Sequence, residues 1–161
     1  MQKQEAIETV MKEAIKKARE TMNQDLGGPF GAAVIDSNGE ILSITSNSVL
    51  SDHDPTAHAE MNAIREASKK IGSHDLTGCI VVTTAYPCPM CLGGIIWANI
   101  KTVIYGCRPK DTESIGFRDD FIYDFIDGGR QDPNVLQLSE DFRDECLLLF
   151  DEYKTKNKTI Y

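Results

Sequence analysis

The sequence lacks a membrane-spanning hydrophobic run and lacks an excess of basic residues. No segment approaches the ~20 consecutive apolar residues that a transmembrane helix requires, and residues 1–22 do not contain the unbroken apolar stretch of a secretory signal. The formal net charge of −8 disfavours a partner rich in phosphates, because binding to a polyanion requires a basic surface. These absences favour a cytoplasmic protein whose partner is neither a membrane nor a nucleic acid.

The cysteines also lack the arrangement of a disulfide-rich domain. Five is an odd number, and they are scattered along a chain of 161 residues. In a reducing compartment, two cysteines close together more often bind a metal or act in redox chemistry than form a disulfide. Cys88 and Cys91 have such a spacing in the sequence TAYPCPMC. This spacing is compatible with a redox pair, half of a structural zinc site or part of a catalytic metal site.

The chain shows no internal repeat, low-complexity tract or linker, so we predict a single domain spanning residues 1–161. Its first segment has apolar residues at spacings of three and four, which is typical of an amphipathic helix. Two β-rich segments flank Ser37-Asn38-Gly39 and predict a hairpin. A second helix is predicted to start at Asp54 as its N-cap, with Pro55 in its first turn, and to stop at Gly72.

The remaining segments alternate between strand and helix patterns. CIVVTT, TVIYGC and VLQLS predict strands, while residues 90–98, FRDDFIYDFID and EDFRDECLLLFDEY predict helices. In the last helix, Leu147, Leu148 and Phe150 are expected to be core residues. Together these elements predict a three-layer α/β/α domain whose five-stranded sheet is covered by helices on both faces.

The metal-ligating residues are predicted to lie at the starts of two helices. A catalytic zinc takes three protein ligands and keeps a fourth position for water. Cys88 and Cys91 are one helical turn apart near a predicted helix N-terminus, where the backbone dipole favours thiolates. Of the three histidines, only His58 falls in the first turns of a helix and is followed two positions later by a carboxylate, Glu60. The 27 residues between Glu60 and Cys88 hold the rest of that helix and a returning strand, which would bring both helix starts to one end of the sheet.

The motifs His58-Ala59-Glu60 and Pro87-Cys88-Pro89-Met90-Cys91 resemble the cytidine-deaminase superfamily of zinc nucleobase and nucleoside deaminases. Within it, the chain most resembles the bacterial guanine deaminases. The resemblance implies a cytidine-deaminase-like fold with a mixed sheet, one Zn²⁺ per subunit bound by His58, Cys88 and Cys91, and hydrolytic deamination of a free nucleobase, with guanine converted to xanthine and ammonia. The segments that carry the resemblance to bacterial guanine deaminases are GGPFGA, Asn47, DPTAHAEMNAIR, CPMCLGGIIWA, GFRDDFIY and the terminal Tyr161.

The resemblance also implies which carboxylates take part in catalysis. Glu60 would move protons between the attacking water, a ring nitrogen and the departing amine. Asp119 in GFRDD and Glu145 in RDECLLLF correspond to acidic residues that recognise the N–H edge of guanine and assist proton movement. Carboxylates suit that edge because guanine presents donors at N1 and at its amino group, whereas the N3 acceptor of cytosine would repel them.

Four further residues complete the implied substrate-binding set. Asn47 would hydrogen-bond the base, the Ala59 backbone would lie beside it, and Phe30 would form part of the pocket wall. Tyr161 would end a tail that closes the active site, which in some family members belongs to the partner subunit of a swapped dimer. The resemblance therefore implies a homodimer, with an exchanged C-terminus as one form of it.

Two residues depart from the family pattern and leave alternatives open. Tyr86 stands before Pro-Cys where many relatives have Glu, and Arg118 stands where a carboxylate is often found. Cytosine or another small aminated heterocycle, such as creatinine or a triazine, therefore stays an alternative substrate. A deaminase acting on adenosine in tRNA shares the motif but conflicts with the acidic charge. A non-catalytic zinc or redox module would have no use for Glu60 beside a three-ligand site.

Overall fold

The computed structural model describes residues 2–161 and contains one four-stranded mixed sheet. The strands lie in the order β2 (Ile41–Ser46), β1 (Gly31–Ile35), β3 (Ile80–Ala85) and β4 (Thr102–Cys107). Strand β1 is antiparallel to β2 and β3, and β3 is parallel to β4. The chain divides into two compact units, Met1–Asp119 and Asp120–Tyr161. The elements in chain order are α1 (Lys3–Asn23), β1 (Gly31–Ile35), β2 (Ile41–Ser46), α2 (Val49–Asp52), α3 (Ala59–Ile71), β3 (Ile80–Ala85), α4 (Pro89–Trp97), β4 (Thr102–Cys107), α5 (Pro109–Ser114), α6 (Asp120–Asp127) and α7 (Arg143–Thr155).

Helix α1 covers one face of the sheet in the first unit. Its apolar stripe, which includes Ala6 and Val10, packs in a fully buried cluster with Ala33 and Val82 of the strands. The approach is close enough that a Cβ on Gly31 would lie 2.1 Å from the Ala14 carbonyl oxygen. The predicted amphipathic helix is confirmed, and its small residues allow the helix to lie directly on the sheet.

Helices α3 and α4 cover the opposite face. Ala59, Ala63 and Ala67 of α3 form a second buried cluster with Val81 of β3 and Ile95 of α4. Because side chains alternate between the two faces of a strand, Val81 and Val82 contribute to opposite clusters. Within the first unit the sheet therefore has helices on both faces, as the alternating pattern predicts.

The start of α3 differs from the sequence prediction. The helix begins at Ala59 with His58 as its N-cap, and Asp54 does not cap it. Instead, Asp54 Oδ1 accepts hydrogen bonds from the backbone N–H and the hydroxyl of Thr56, both at 2.8 Å. An aspartate that forms a local turn is unavailable to a helix, which explains the later start. The predicted stop is confirmed: Gly72 is the C-cap, with φ of 70°.

The predicted fifth strand is wrong. Residues 135–139 form no strand, and the backbone N–H groups of Val135 and Leu136 both donate to the Asp132 carbonyl oxygen. Leu136 and Leu138 are exposed. An alternating apolar pattern becomes a strand only where a neighbouring strand pairs with its backbone, and no such pairing exists among residues 2–161. A local turn satisfies the backbone instead.

The second unit contains the two predicted C-terminal helices, α6 and α7. Their existence is confirmed, but the core assignment in α7 is wrong for two of its three residues. Leu148 and Phe150 are 58% and 71% exposed, and Leu147 is half-buried. Helical spacing predicts the helix without identifying what covers its apolar side. Within the described part of the chain, no helix has the length and apolarity needed to cross a membrane.

Candidate metal centre

Two helix starts bring three potential metal ligands to one end of the sheet. His58 is the N-cap of α3, Cys88 is the N-cap of α4, and Cys91 lies in the first turn of α4. Helix α4 follows directly after β3, and Pro89 occupies its first turn, where the fixed φ of proline favours helix initiation and its missing N–H has no consequence. The short connection therefore places both thiols just beyond the end of β3.

The spacing of the three donor atoms fits a tetrahedral ion. His58 Nδ1 lies 3.5 Å from Cys88 Sγ and 3.6 Å from Cys91 Sγ, and the three donor atoms all lie within 4.8 Å of one another. A zinc ion about 2.0–2.1 Å from nitrogen and about 2.3 Å from sulfur, with tetrahedral angles, separates N and S by about 3.5–3.6 Å. The residues present therefore fit zinc with three protein ligands, which is the set of a catalytic site.

The electrostatics of the cluster agree with a cation site. A hydrogen bond from Cys91, supported by one from His58, lowers the pKa of Cys88 to about 4. The pKa of Cys91 is raised, first because it donates to Cys88 and then because it is buried. The hydrogen bond with Cys88 also raises the pKa of His58. A divalent cation can replace the protons of these groups and bind both sulfurs as thiolates.

Glu60 lies next to the metal donors and is almost completely buried. Its side chain is part of α3 and is only 6% exposed. Its Oε1 accepts a hydrogen bond of 2.7 Å from the Thr83 hydroxyl, and its Oε2 lies 3.4 Å from Cys91 Sγ. Burial raises the pKa of Glu60, while the bond from Thr83 acts in the opposite direction. A buried carboxyl beside a metal centre is placed to accept and return a proton.

Asn47 follows the last residue of β2 and is held by backbone groups. It is 6% exposed, and its Oδ1 accepts hydrogen bonds from the N–H of Gly28 at 3.3 Å and of Val49 at 3.0 Å. The backbone N–H of Asn47 donates to the Phe30 carbonyl oxygen. A Cβ on Gly27 would lie 2.4 Å from Asn47 Oδ1, so only glycine fits there. Because the amide oxygen is engaged, the amide nitrogen is the group left to contact a substrate.

The segment carrying Asn47 is attached to the start of α3. The Ser48 N–H donates to the Ala57 carbonyl oxygen at 3.0 Å. From α3, the Asn62 amide donates to the Ser46 carbonyl oxygen at 3.0 Å. These bonds flank Asn47 on both sides and place it beside the helix start that carries His58 and Glu60. The predicted contact of Asn47 with the base stays a prediction.

Phe30 and Ala59, both predicted to contact the substrate, also belong to the first unit. Phe30 is half-buried and makes an edge-to-face contact with Phe117, with ring centroids 5.2 Å apart. Ala59 is fully buried, and its carbonyl oxygen accepts a hydrogen bond of 2.7 Å from Thr45. The contact between Phe117 and Phe30 was not predicted, because the two residues are 87 positions apart in the chain and no local pattern links them.

The remaining predicted site residues are distributed between the two units. Asp119 is a half-buried residue of the first unit, directly before α6. In the second unit, Glu145 is an exposed residue in the first turn of α7, and Tyr161 is 82% exposed. The substrate and proton-transfer roles of these three residues stay predictions.

The two departures from the family pattern each have a local partner. The Tyr86 ring makes an edge-to-face contact with Tyr105 of β4, with centroids 5.0 Å apart, and its N–H donates to the Cys107 carbonyl oxygen. Arg118 Nε lies 4.0 Å from a Glu113 carboxylate oxygen. Tyr86 therefore connects the segment that leads into the metal motif to the neighbouring strand.

Comparison with known proteins agrees with this geometry. Residues 4–107 match the family described as the cytidine and deoxycytidylate deaminase zinc-binding region. Guanine deaminase from Bacillus subtilis (strain 168) is 47% identical over 128 residues, which are 80% of this chain and 81% of that protein. An X-ray structure of guanine deaminase from Bacillus subtilis matches with a TM-score of 0.86 and 39% identity, covering 96% of this chain and 98% of that one. The tRNA-specific adenosine deaminase of Bacillus subtilis (strain 168) is 38% identical over 100 residues, 62% of this chain and 60% of that protein.

Removing one donor should abolish metal binding. We expect Cys91→Ala to reduce the zinc content, measured by elemental analysis after gel filtration, from about one equivalent to less than about a tenth, because a site with two protein ligands binds zinc weakly. Cys107→Ala is the matched control, since this thiol is exposed at the end of β4 and is not part of the donor cluster. A folded Cys91→Ala protein that retains a full equivalent of zinc would show that the donor set is wrong.

Proposed function

The chain belongs to the zinc-binding family of cytidine and deoxycytidylate deaminases, and on this premise we propose that its substrate is guanine, which it converts to xanthine and ammonia. As a member of this family, it is a zinc-dependent hydrolase that deaminates its substrate. The observation that favours guanine is the similarity to Bacillus subtilis guanine deaminase, which covers about four fifths of both proteins. The net charge of −8 adds to this by disfavouring a polynucleotide substrate.

The polar groups of the site support this choice of base. The Asn47 amide nitrogen is a donor, and it suits the acceptors that guanine presents at its C6 carbonyl group and at N7. Carboxylates at Asp119 and Glu145 would accept hydrogen bonds from the donors of the same base, N1–H and the amino group. For Glu145, and for Tyr161 as a closing residue, the support is the resemblance of the C-terminal sequence. Phe30 would contribute an apolar wall against the flat ring.

The reaction requires water to attack C2 while a proton moves to the ring. When bound by His58, Cys88 and Cys91, zinc supplies the Lewis acidity that makes water a nucleophile near neutral pH. Glu60 accepts one proton from the attacking water and passes it to N3 as the new C–O bond forms. Glu60 then transfers the second proton to the amino group, the C–N bond breaks, and ammonia leaves. The product has a carbonyl at C2 and a proton at N3, so atoms and charges balance.

A substrate panel tests the choice of base. We expect the zinc-loaded protein to release ammonia from guanine at least about a hundredfold faster, in kcat/KM, than from any of the alternatives. A base that leaves hydrogen-bonding groups of a buried site unpaired loses kcat/KM by this order or more. The panel comprises cytosine, adenine, creatinine and a tRNA anticodon stem-loop. Activity restricted to the stem-loop, or faster release from cytosine, would contradict the assignment of guanine.

Replacing carboxylates by amides separates the proton carrier from the residues that recognise the base. We expect Glu60→Gln to retain zinc and to lower kcat by at least about two to four powers of ten, the usual contribution of positioned proton transfer. Asp119→Asn and Glu145→Gln should instead lower kcat/KM for guanine while zinc is retained. Glu66→Gln is the control, because Glu66 is exposed on the same helix as Glu60. Loss of zinc in Glu60→Gln would show that Glu60 supports the metal rather than the reaction.

We further propose that the active form is a homodimer with exchanged C-terminal residues. In the first unit, Ile96 and Trp97 of α4 are 71% and 73% exposed, and Tyr105 of the edge strand β4 is 46% exposed. Apolar side chains of this size, concentrated on one helix end and an adjoining edge strand, are typical of a surface that another protein covers. The exposed Leu148 and Phe150 of α7 point to a second covered surface.

Complementation between two impaired variants tests this arrangement. Light scattering should give twice the mass of the 17.9 kDa chain. Co-refolded Glu60→Gln and Glu145→Gln chains should be more active than either variant alone, because an exchanged C-terminus unites an intact Glu60 with an intact Glu145 in one of the two sites. A dimer without recovery would contradict the exchange, and a monomeric mass would contradict the dimer.

A further inference from the structure

One buried hydroxyl of β3, that of Thr83, has no direct part in the proposed reaction. Thr83 is 1% exposed, in a strand whose preceding residues, Val81 and Val82, are fully buried and apolar. Since side chains alternate along a strand, Thr83 shares the face of Val81, on which α3 and α4 pack. Valine has nearly the same shape as threonine, so filling this space does not require the hydroxyl.

The hydroxyl makes its shortest contact with the carboxylate of Glu60. Thr83 Oγ1 lies 2.7 Å from Glu60 Oε1, compared with 3.2 Å from the Ala85 carbonyl oxygen and 3.5 Å from the Gly31 carbonyl oxygen. A hydroxyl has a single hydrogen to donate, and a carboxylate is a stronger acceptor than a backbone carbonyl. The backbone acceptors would be sufficient if the hydroxyl only had to be satisfied, so the shorter bond to Glu60 indicates a different role.

The two oxygens of Glu60 face different partners. Oε1 faces Thr83 on the sheet, whereas Oε2 lies 3.4 Å from Cys91 Sγ, one of the metal donors. A glutamate side chain has three rotatable bonds, and its backbone in the first turn of α3 does not fix their angles. A bond to a different, rigid element removes that freedom, and such positioning contributes to rate because the reacting groups must meet in one geometry.

We propose that Thr83 is a positioning residue whose hydroxyl holds Oε1 of Glu60 against β3 and thereby directs Oε2 towards the metal centre. The inference rests on the proposed function, because it requires Glu60 to be the proton carrier. The Thr83 hydroxyl contacts the Glu60 carboxylate and two backbone carbonyl oxygens, so it would act through Glu60. Its removal should therefore affect the orientation of Glu60 and the turnover rate, while substrate affinity and metal binding are retained.

Ser43 of β2 provides a matched control, because its hydroxyl also bonds to α3. It is 5% exposed, and its hydroxyl donates to the Ala63 carbonyl oxygen of α3 at 2.8 Å. Ser43→Ala and Thr83→Val each remove one buried hydroxyl that contacts α3, but only Thr83→Val removes a contact with a carboxylate. A purely structural effect should therefore be similar in the two variants.

The test combines crystal structures of the zinc-loaded variants with steady-state kinetics. In Thr83→Val we expect the Glu60 carboxylate to rotate away from β3, kcat to fall by about 10- to 100-fold and KM to stay within about twofold. Thr83→Ser, which keeps the hydroxyl, should restore both the orientation and kcat. Ser43→Ala should change neither, and all three variants should retain the zinc content of the unaltered protein.

Unchanged orientation of Glu60 in Thr83→Val would overturn the proposal, and so would a rotated carboxylate with unchanged kcat. Thr83→Ala, which also lacks the hydroxyl, replaces the valine variant if that protein does not fold. The orientation is read from crystals without substrate, so it decides the proposal whichever base is deaminated. Failure of the proposed function has a separate signature, namely no release of ammonia from guanine by the unaltered protein, and the kinetic comparison is then made with the base that the panel identifies.

Discussion

The meeting of two helix starts at the end of β3 is the constraint on which the rest of the site depends. His58 and Cys88 are both N-caps, so each is fixed by the point at which its helix begins rather than by a flexible loop. The two helices also pack together, with Ala63 of α3 and Ile95 of α4 in one buried cluster. In this arrangement the imidazole nitrogen of His58 lies 3.5 and 3.6 Å from the two sulfurs. The donor cluster is thus built from the starts of two packed helices.

Burial gives Glu60 a property that an exposed glutamate would lack. At 6% exposure the charged form is disfavoured, so the pKa of the carboxyl is raised. Such a group would destabilise the fold if it had no polar partners. Thr83 and the metal centre provide them, one at each oxygen. The partners that make the buried carboxyl tolerable are thus also those between which its two oxygens are placed.

Local sequence patterns predicted the parts of the molecule whose causes are local. The His58-Ala59-Glu60 and Cys88-Pro89-Met90-Cys91 spacings are meaningful within one helical turn, and the structure brings these residues together. The predicted strand at residues 135–139 failed because pairing depends on a distant partner. The start of α3 was misplaced because Asp54 satisfies either a helix or a turn, and the sequence does not say which. Thr83 and Gly27 were not predicted because their contacts are not local. Thr83 contacts Glu60 and Gly27 lies against Asn47, in each case about twenty residues away in the chain.

The anchoring of Asn47 limits which residues can occupy that position. One side-chain oxygen must accept from the Gly28 and Val49 N–H groups, and the close approach of Gly27 leaves no room for a longer side chain. Only asparagine and aspartate provide that oxygen at that length. They differ in the second terminal atom, which is a donor in one and an acceptor in the other. The hydrogen-bonding polarity of the side chain at position 47 can therefore be inverted by exchanging a single nitrogen for oxygen, with the surrounding backbone left in place.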